Sequence, residues 1–209
     1  HLPVPVGFDW LQTAAWGFCV FQSDSPAVRL FVLDFWGKGA IAVGERIAVG
    51  DKLPFFVYDT PYSAQNRFRD LLQRKSPLVL VFMANFGHPI TRTFASRYAN
   101  TYGSLRDGGF ALVVRSRADK LSRSIGPNTL PYPLLCDAEG VLYEHLDIPQ
   151  SSSALMTYSL EGWRILREAK RQGYQAAKGQ MQQLPLTLIL DKDGTVLFCH
   201  YGASLTDVP

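Results

Sequence analysis

The amino-acid sequence predicts an α/β protein whose mixed central sheet has helices on both faces. Two wholly apolar runs, LVLVFM at 78–83 and FALVV at 110–114, are each followed by a helical pattern. Such runs are typical of strands covered on both faces, and a right-handed crossover between them makes the two strands parallel. Two further runs, LPLTLILD at 184–191 and TVLFCHY at 195–201, flank a KDG turn and predict an antiparallel hairpin.

The N-terminal part, residues 1–47, is predicted to be a helical extension rich in aromatic side chains. One helix is expected within FDWLQTAAWGFCVFQ at 8–22, and a second within AVRLFVLDFWGKGA at 27–40, where a pair of glycines ends it. So many aromatic side chains on short segments need burial against the main domain or a partner chain. We therefore divide the chain into this extension and an α/β domain at 48–209.

The α/β domain contains further predicted elements around its central strands. The helix after the first buried strand carries Ile90, Phe94 and Tyr98 at spacings of four, which form one apolar stripe. The other expected elements are a strand within 48–60, a helix capped by Ser63, a helix capped by Ser116, a strand, turn and helix at 132–148, and an irregular insertion with some helix at 149–183.

Composition and charge exclude several classes of protein. The chain of 209 residues has a net charge of only +3, and its Lys and Arg residues are scattered, so nucleic acid is not an expected partner. No apolar run reaches the roughly 18 residues of a membrane span, so none is predicted. The basic segment WRILREAKRQGYQAAKGQ at 163–180 is interpreted as a solvated helix face or, alternatively, as a contact for an anionic partner.

The three cysteines, Cys19, Cys136 and Cys199, are widely spaced and form no CxxC pair. Neither a disulfide framework nor a zinc site is predicted, and no metal or other cofactor is expected. This usage fits the cytoplasm or another reducing compartment. The sequence begins at His1 without methionine, so the interpretation leaves room for a targeting segment removed upstream.

Three separated motifs resemble the peroxiredoxin-like proteins of the alkyl hydroperoxide reductase/thiol-specific antioxidant (AhpC/TSA) group. They are the opening VGDKLPFFVYDTP at 49–61, the strand and turn LVLVFMANFGHPITR at 78–92, and the closing hairpin QLPLTLILDKDGTVLFCHYG at 183–202. The motifs occur in the family's order and together span most of the α/β domain. The resemblance implies a thioredoxin-like fold for residues 48–209.

The active-site turn departs from this family's pattern at both thiol positions. The family tends to show a Cys-Pro-x-Cys turn followed by Arg or a similar residue. Here His88 stands at the place of the first cysteine and Thr91 at the place of the second, while Pro89 and Arg92 match. The resemblance therefore implies a family member whose active-site cysteines have been replaced.

The chemistry of the replaced residues argues against thiol catalysis at this turn. Peroxide and disulfide reduction need a thiolate, and an imidazole forms neither a sulfenic acid nor a mixed disulfide. The hydroxyl of Thr91 has far too high a pKa to act without a base. We therefore predict no confident catalytic residue and interpret the protein as a binding or assembly component. The alternative is an antioxidant oxidoreductase, a thiol peroxidase or disulfide reductase, that uses a displaced cysteine.

His88 itself has three interpretations. As a helix N-terminal residue it is expected to have a lowered pKa, because the positive end of the helix dipole opposes protonation. Its neutral ring then covers or caps the turn at the surface, contacts a ligand or substrate, or acts as a general base. A metal is not expected, because no other ligand lies at helical spacing from it.

Binding is predicted at His88 and Pro89 and at the pair Leu184 and Pro185. In the thioredoxin fold the pair at this place faces the active-site turn with its proline in cis, which leaves the preceding backbone groups open to an extended peptide. The predicted partner is thus a protein or peptide, bound at this platform or through residues 1–40. The free cysteines are expected to be small buried apolar residues.

Overall fold

We describe the protein from a computed structural model, which covers the chain at residues 18–21, 28–33, 44–153, 157–175 and 181–209. The strands are β1 Phe18–Phe21, β2 Val28–Leu33, β3 Phe56–Tyr58, β4 Asn66–Arg67, β5 Leu78–Met83, β6 Gly109–Val114, β7 Leu134–Cys136, β8 Gln150–Ser151, β9 Gln182–Gln183, β10 Leu186–Leu190 and β11 Val196–Tyr201. The helices are α1 Phe68–Arg74, α2 Pro89–Tyr102, α3 Ala118–Leu121, α4 Val141–His145 and α5 Leu160–Arg171.

The central sheet has five strands in the order β11-β10-β5-β6-β7. β5, β6 and β7 are parallel, whereas β10 is antiparallel to β5 and β11 is antiparallel to β10. The mixed sheet, the parallel central pair and the closing hairpin predicted from the sequence are thereby confirmed. Met83, Val114 and Cys136 are in register, so the carboxyl ends of the three parallel strands share one edge of the sheet.

The sheet is covered on both faces because side chains alternate along its strands. From β5, Leu80 and Phe82 enter one core together with residues of α1 and α4. Val81 and Met83 point to the opposite side and enter a second core. There they meet the predicted stripe of α2, Ile90, Phe94 and Tyr98, all of which are buried.

The predicted helical extension is wrong where the structure describes it. Residues 18–21 and 28–33 form the antiparallel strands β1 and β2, and β2 pairs in turn with β3. The reason lies in the composition FCVF and VRLFVL, which is rich in β-branched and aromatic residues. The other residues of 1–43 lie outside the described ranges, and the boundary at residue 47 stays a prediction.

Two predicted helix starts are also corrected. α1 begins at Phe68, because Asn66 and Arg67 first pair with β3, and Ser63 bonds within a turn to Thr60 instead of capping a helix. The Ser116 hydroxyl accepts a hydrogen bond from the Phe86 amide at 2.8 Å, so it does not cap α3. A local turn partner engages the Ser63 hydroxyl and a tertiary partner engages that of Ser116, so neither side chain caps a helix.

Candidate functional site

His88 is the N-cap residue of α2, directly beyond the central strand β5. Its backbone is extended, and Pro89 follows at the first helical position, where a proline costs the helix nothing. The ring Nδ1 atom accepts a hydrogen bond from the Ile90 amide at 3.3 Å. The imidazole therefore caps the helix, as one of the sequence interpretations expected.

The His88 ring is buried, which the prediction of a surface position did not anticipate. Only 3% of the residue is exposed. Burial lowers the pKa of His88 to about 4, so desolvation causes the decrease that the helix dipole alone was expected to produce. Protonation of the ring at Nδ1 would also remove the lone pair that accepts the hydrogen bond from the Ile90 amide. His88 is thus a neutral, hydrogen-bonded side chain at neutral pH.

Two tyrosines from the insertion after β8 cover the His88 ring. The Tyr158 ring lies nearly parallel to the imidazole, with centroids 6.3 Å apart and planes 11° apart. The Tyr174 ring approaches at 6.2 Å with its edge, at 72°. Trp163 packs on Tyr158 from the outer side, with centroids 5.2 Å apart. These rings shield the His88 side chain from water.

Helix α5 holds this aromatic cover against α2. Glu161 of α5 forms an ion pair with Arg97 of α2 at 2.6 Å. Gly162 lies so close to α2 that a Cβ atom there would stand 3.3 Å from Ile90 Cδ1. The C-terminal segment adds a third support, since the Leu205 amide donates to the Thr157 carbonyl at 2.9 Å. The described part of the insertion is therefore packed against the rest of the domain.

Ser159 offers a direct test of this cover. Its hydroxyl caps α5 by accepting a hydrogen bond from the Gly162 amide at 3.2 Å, and it also contacts the Thr206 hydroxyl. Because loss of an N-cap costs about 1 kcal/mol, Ser159→Ala should speed hydrogen exchange of the α5 amides about fivefold. Ser104→Ala, at an exposed site, is the control. Equal exchange in both variants would show that this cap does not hold α5.

The remaining turn residues take different positions. Pro89 and Thr91 are buried as well, so the side chains at positions 88, 89 and 91 are all closed to solvent. Arg92 is exposed on the first turn of α2, and its amide donates to the His88 carbonyl at 3.1 Å. The structure thus brings His88, Pro89 and Thr91 together inside and leaves Arg92 outside.

The Leu184–Pro185 platform differs from its prediction. The only cis peptide bond in the described part of the chain joins Ser76 and Pro77, so the Leu184–Pro185 bond is trans. The Leu184 amide donates to the Pro149 carbonyl, and the Pro185 carbonyl accepts from the Gly202 amide. These two hydrogen bonds keep the chain extended as it leads into β10. A trans peptide bond, which most X–Pro bonds adopt, is compatible with this extended form.

The pair does lie near the active-site turn. β10 pairs with β5 so that Leu186 stands opposite Phe82, which sets Leu184 and Pro185 beside the end of β5 where the turn begins. Both side chains are buried. A peptide could pair with the Leu184 amide only by displacing Pro149, so the peptide-binding assignment stays a prediction.

The cysteines whose side chains the structure describes are poor nucleophiles. Cys136 is fully buried, and burial raises the pKa of its thiol to about 12, with smaller contributions from Asp59 and Asp137. Cys199 is half-buried, and its thiol donates to the Ile47 carbonyl at 3.1 Å. Burial raises its pKa as well. Cys19 lies in β1, opposite Val32.

Comparison with protein families decides the identity of the domain. The sequence pattern of the AhpC/TSA family matches residues 49–199, which is more than half of the chain. The chain belongs to the AhpC/TSA family. The resemblance drawn from the three motifs is confirmed, and the matched residues include His88 and Thr91.

Solved structures agree on the fold. A peroxiredoxin-like protein from Aquifex aeolicus superposes with a TM-score of 0.53 at 16% identity, covering 82% of this chain and 88% of that one. A thiol peroxidase from Chromobacterium violaceum gives 0.51 at 15% identity, covering 84% and 90%. These similarities establish the thioredoxin-like fold of the AhpC/TSA domain. No curated protein matches the sequence.

The described residues form neither a metal cluster nor a membrane-spanning helix. Among the described residues, no group of three or more His, Cys, Asp or Glu side chains is arranged to hold a metal ion. Within the same ranges, no helix combines the length and hydrophobicity that a transmembrane span requires.

Sequence reasoning missed the residues that close the site. Tyr158 and Tyr174 lie in the insertion that was interpreted as irregular, more than 60 positions from His88. The one available signal was the amphipathic pattern of α5, whose buried residues Gly162 and Leu166 are spaced by four. That pattern predicts a packed helix but not which turn the helix covers.

Proposed function

We propose that this AhpC/TSA family member has lost thiol redox catalysis at its active-site turn and serves as a binding or assembly component. The observation that carries the proposal is the state of the two thiol positions. His88 and Thr91 occupy them, both are buried, and Tyr158 and Tyr174 pack over His88. Neither residue type can pass through the sulfur intermediates of peroxide or disulfide reduction.

The surroundings of the described cysteines support the same conclusion. A displaced nucleophile needs an accessible thiol of low pKa. Cys136 is in register with Met83 two strands away, about 10 Å across the sheet, but it is fully buried and its pKa is raised. The Cys199 thiol is engaged with the Ile47 carbonyl. The alternative of an oxidoreductase with a displaced cysteine has no support from these two residues.

Peroxide consumption tests the loss of catalysis. The purified full chain, supplied with hydrogen peroxide or an organic hydroperoxide and dithiothreitol, is expected to consume peroxide no faster than buffer with dithiothreitol. Single Cys→Ser variants at Cys19, Cys136 and Cys199 are the matched comparison. Turnover in the wild-type protein that one of these changes abolishes would refute the proposal and identify the displaced nucleophile.

The binding role needs its own measurement. Size-exclusion chromatography with mass determination should give a species heavier than the 23.3 kDa chain in native extract. Cross-linking with mass spectrometry would then locate the contact, which we expect within residues 1–40. A chain that runs as a 23.3 kDa monomer in both native extract and purified form would contradict the assembly role.

A further inference from the structure

A groove between α2 and α5 concentrates positive charge beside the His88 turn. It has a volume of 760 Å³, within the range of small-molecule sites. Four arginines line it, Arg92 from α2 and Arg164, Arg167 and Arg171 from α5, against one carboxylate, Glu168. The lining therefore carries a net charge of +3, as much as the whole chain.

Three of these guanidinium groups have no acidic partner among the described residues. Glu168 pairs with Arg171 at 3.4 Å and also accepts from Gln172 at 3.1 Å. Arg171 also suits the negative C-terminal end of α5. No ion pair within the described ranges involves Arg92, Arg164 or Arg167. Their charges are neutralised neither by the helix ends nor by the groove itself.

Arg92 stands in an unfavourable place unless an anion binds. It lies just after the first three residues of α2, near the positive end of the helix dipole, and that first turn contains no acidic residue. If this face of α2 were only solvated, an acidic or neutral residue would be more favourable than arginine at this position. An anion bound between Arg92 and the unpaired Arg164 and Arg167 of α5 would attract all three guanidinium groups and so offset the repulsion that Arg92 experiences from the helix dipole.

The side chains around the groove indicate the chemistry of that anion. All its cations are arginines, whose planar forks bind phosphate oxygens through paired hydrogen bonds. Three unpaired guanidinium groups suit a ligand with more than one negative charge. Ile165 and Ala169 add apolar surface, and the exposed Ser96 adds a hydroxyl. We propose that this groove binds a small organic phosphate with two or more phosphoryl groups, such as a nucleoside diphosphate.

This inference goes beyond the proposed function, because the groove would bind its ligand whether or not a cysteine turns over. Calorimetric titration of the full chain with ADP and with inorganic pyrophosphate, at about 0.15 M ionic strength, tests it directly. We expect a Kd below about 1 mM for both, and at least about tenfold weaker binding of inorganic sulfate. Binding of sulfate as tight as that of pyrophosphate would overturn the proposal.

Matched variants separate the groove from general charge. Arg164→Gln with Arg167→Gln should weaken pyrophosphate binding about tenfold or more, since charge-assisted hydrogen bonds are lost. Arg167→Lys keeps the charge but loses the planar guanidinium group, so we expect a smaller loss of pyrophosphate affinity. The control, Arg106→Gln with Lys192→Gln, removes two exposed charges elsewhere and should change the Kd less than about twofold. Equal losses in the two double variants would refute the site.

Lipid headgroups are a separate source of phosphate, distinguished by a third measurement. Sedimentation with phosphatidylcholine vesicles that contain about 20% phosphatidic acid tests a membrane surface. We expect free pyrophosphate to bind and to compete with any vesicle association. Association with vesicles in the absence of pyrophosphate binding would overturn the small-molecule proposal and favour a lipid surface.

Discussion

The His88→Cys/Thr91→Cys variant is expected to gain a reversible disulfide that the wild-type protein lacks. The two positions are the N-cap and the third residue of α2. Cα atoms three residues apart at a helix start lie about 5–6 Å from each other, within the roughly 4.4–6.8 Å that a disulfide spans. Treatment of the folded variant with diamide should remove about 2 Da from the peptide that contains both cysteines, and dithiothreitol should restore them.

The single variant His88→Cys shows how far the aromatic cover protects the site. Because position 88 is only 3% exposed, its thiol should react with a maleimide at least about 100-fold more slowly in the folded protein than in urea. Ala64→Cys, at an exposed position, is the control and should react at similar rates in both. Peptide mapping separates these thiols from the native ones. A rapid reaction of the thiol introduced at position 88 would contradict its burial. No disulfide in a double variant refolded from urea with diamide would show that the turn has been misplaced.

The second large effect is a loss of stability in weak acid caused by His88. Its pKa is about 4 in the folded protein, against an ordinary value of 6.5. Above pH 6.5 the ring is neutral in both states and costs nothing. Between pH 6.5 and 4 the unfolded chain takes up a proton that the folded chain excludes, so folding stability falls as pH falls. At about pH 5 the loss amounts to about 2 kcal/mol.

Urea unfolding at about pH 7 and about pH 5 measures this difference. His88→Asn keeps a cap acceptor without a titrating ring, so we expect it to lose about 2 kcal/mol less than the wild-type protein between these pH values. Ser96→Asn, on the exposed side of α2, should keep the wild-type dependence. The buried His145, whose pKa burial also lowers, contributes equally in all three proteins and cancels. Identical pH dependence in wild type and His88→Asn would contradict a buried, neutral His88.

Local sequence patterns were sufficient to predict the strands and helices of the α/β core. The apolar run at 78–83 matches β5 residue for residue, and the stripe of Ile90, Phe94 and Tyr98 is the buried face of α2. The prediction of helices for the N-terminal strands is wrong, because largely apolar segments of four and six residues carry no decisive period without a partner strand. Pairing of β2 with β3 settles the conformation, and that contact joins residues almost 30 positions apart.

The sequence alone determined the family, and it shows that the turn at 88–91 contains no cysteine and so offers no thiolate. Tertiary structure decided whether those positions are open. Tyr158 and Tyr174 cover His88 only because α5 packs on α2, and the same packing brings Arg92 to the arginines of α5. Burial, pKa and clustered charge depend on distances across the fold, and no one-dimensional pattern of residues specifies such distances.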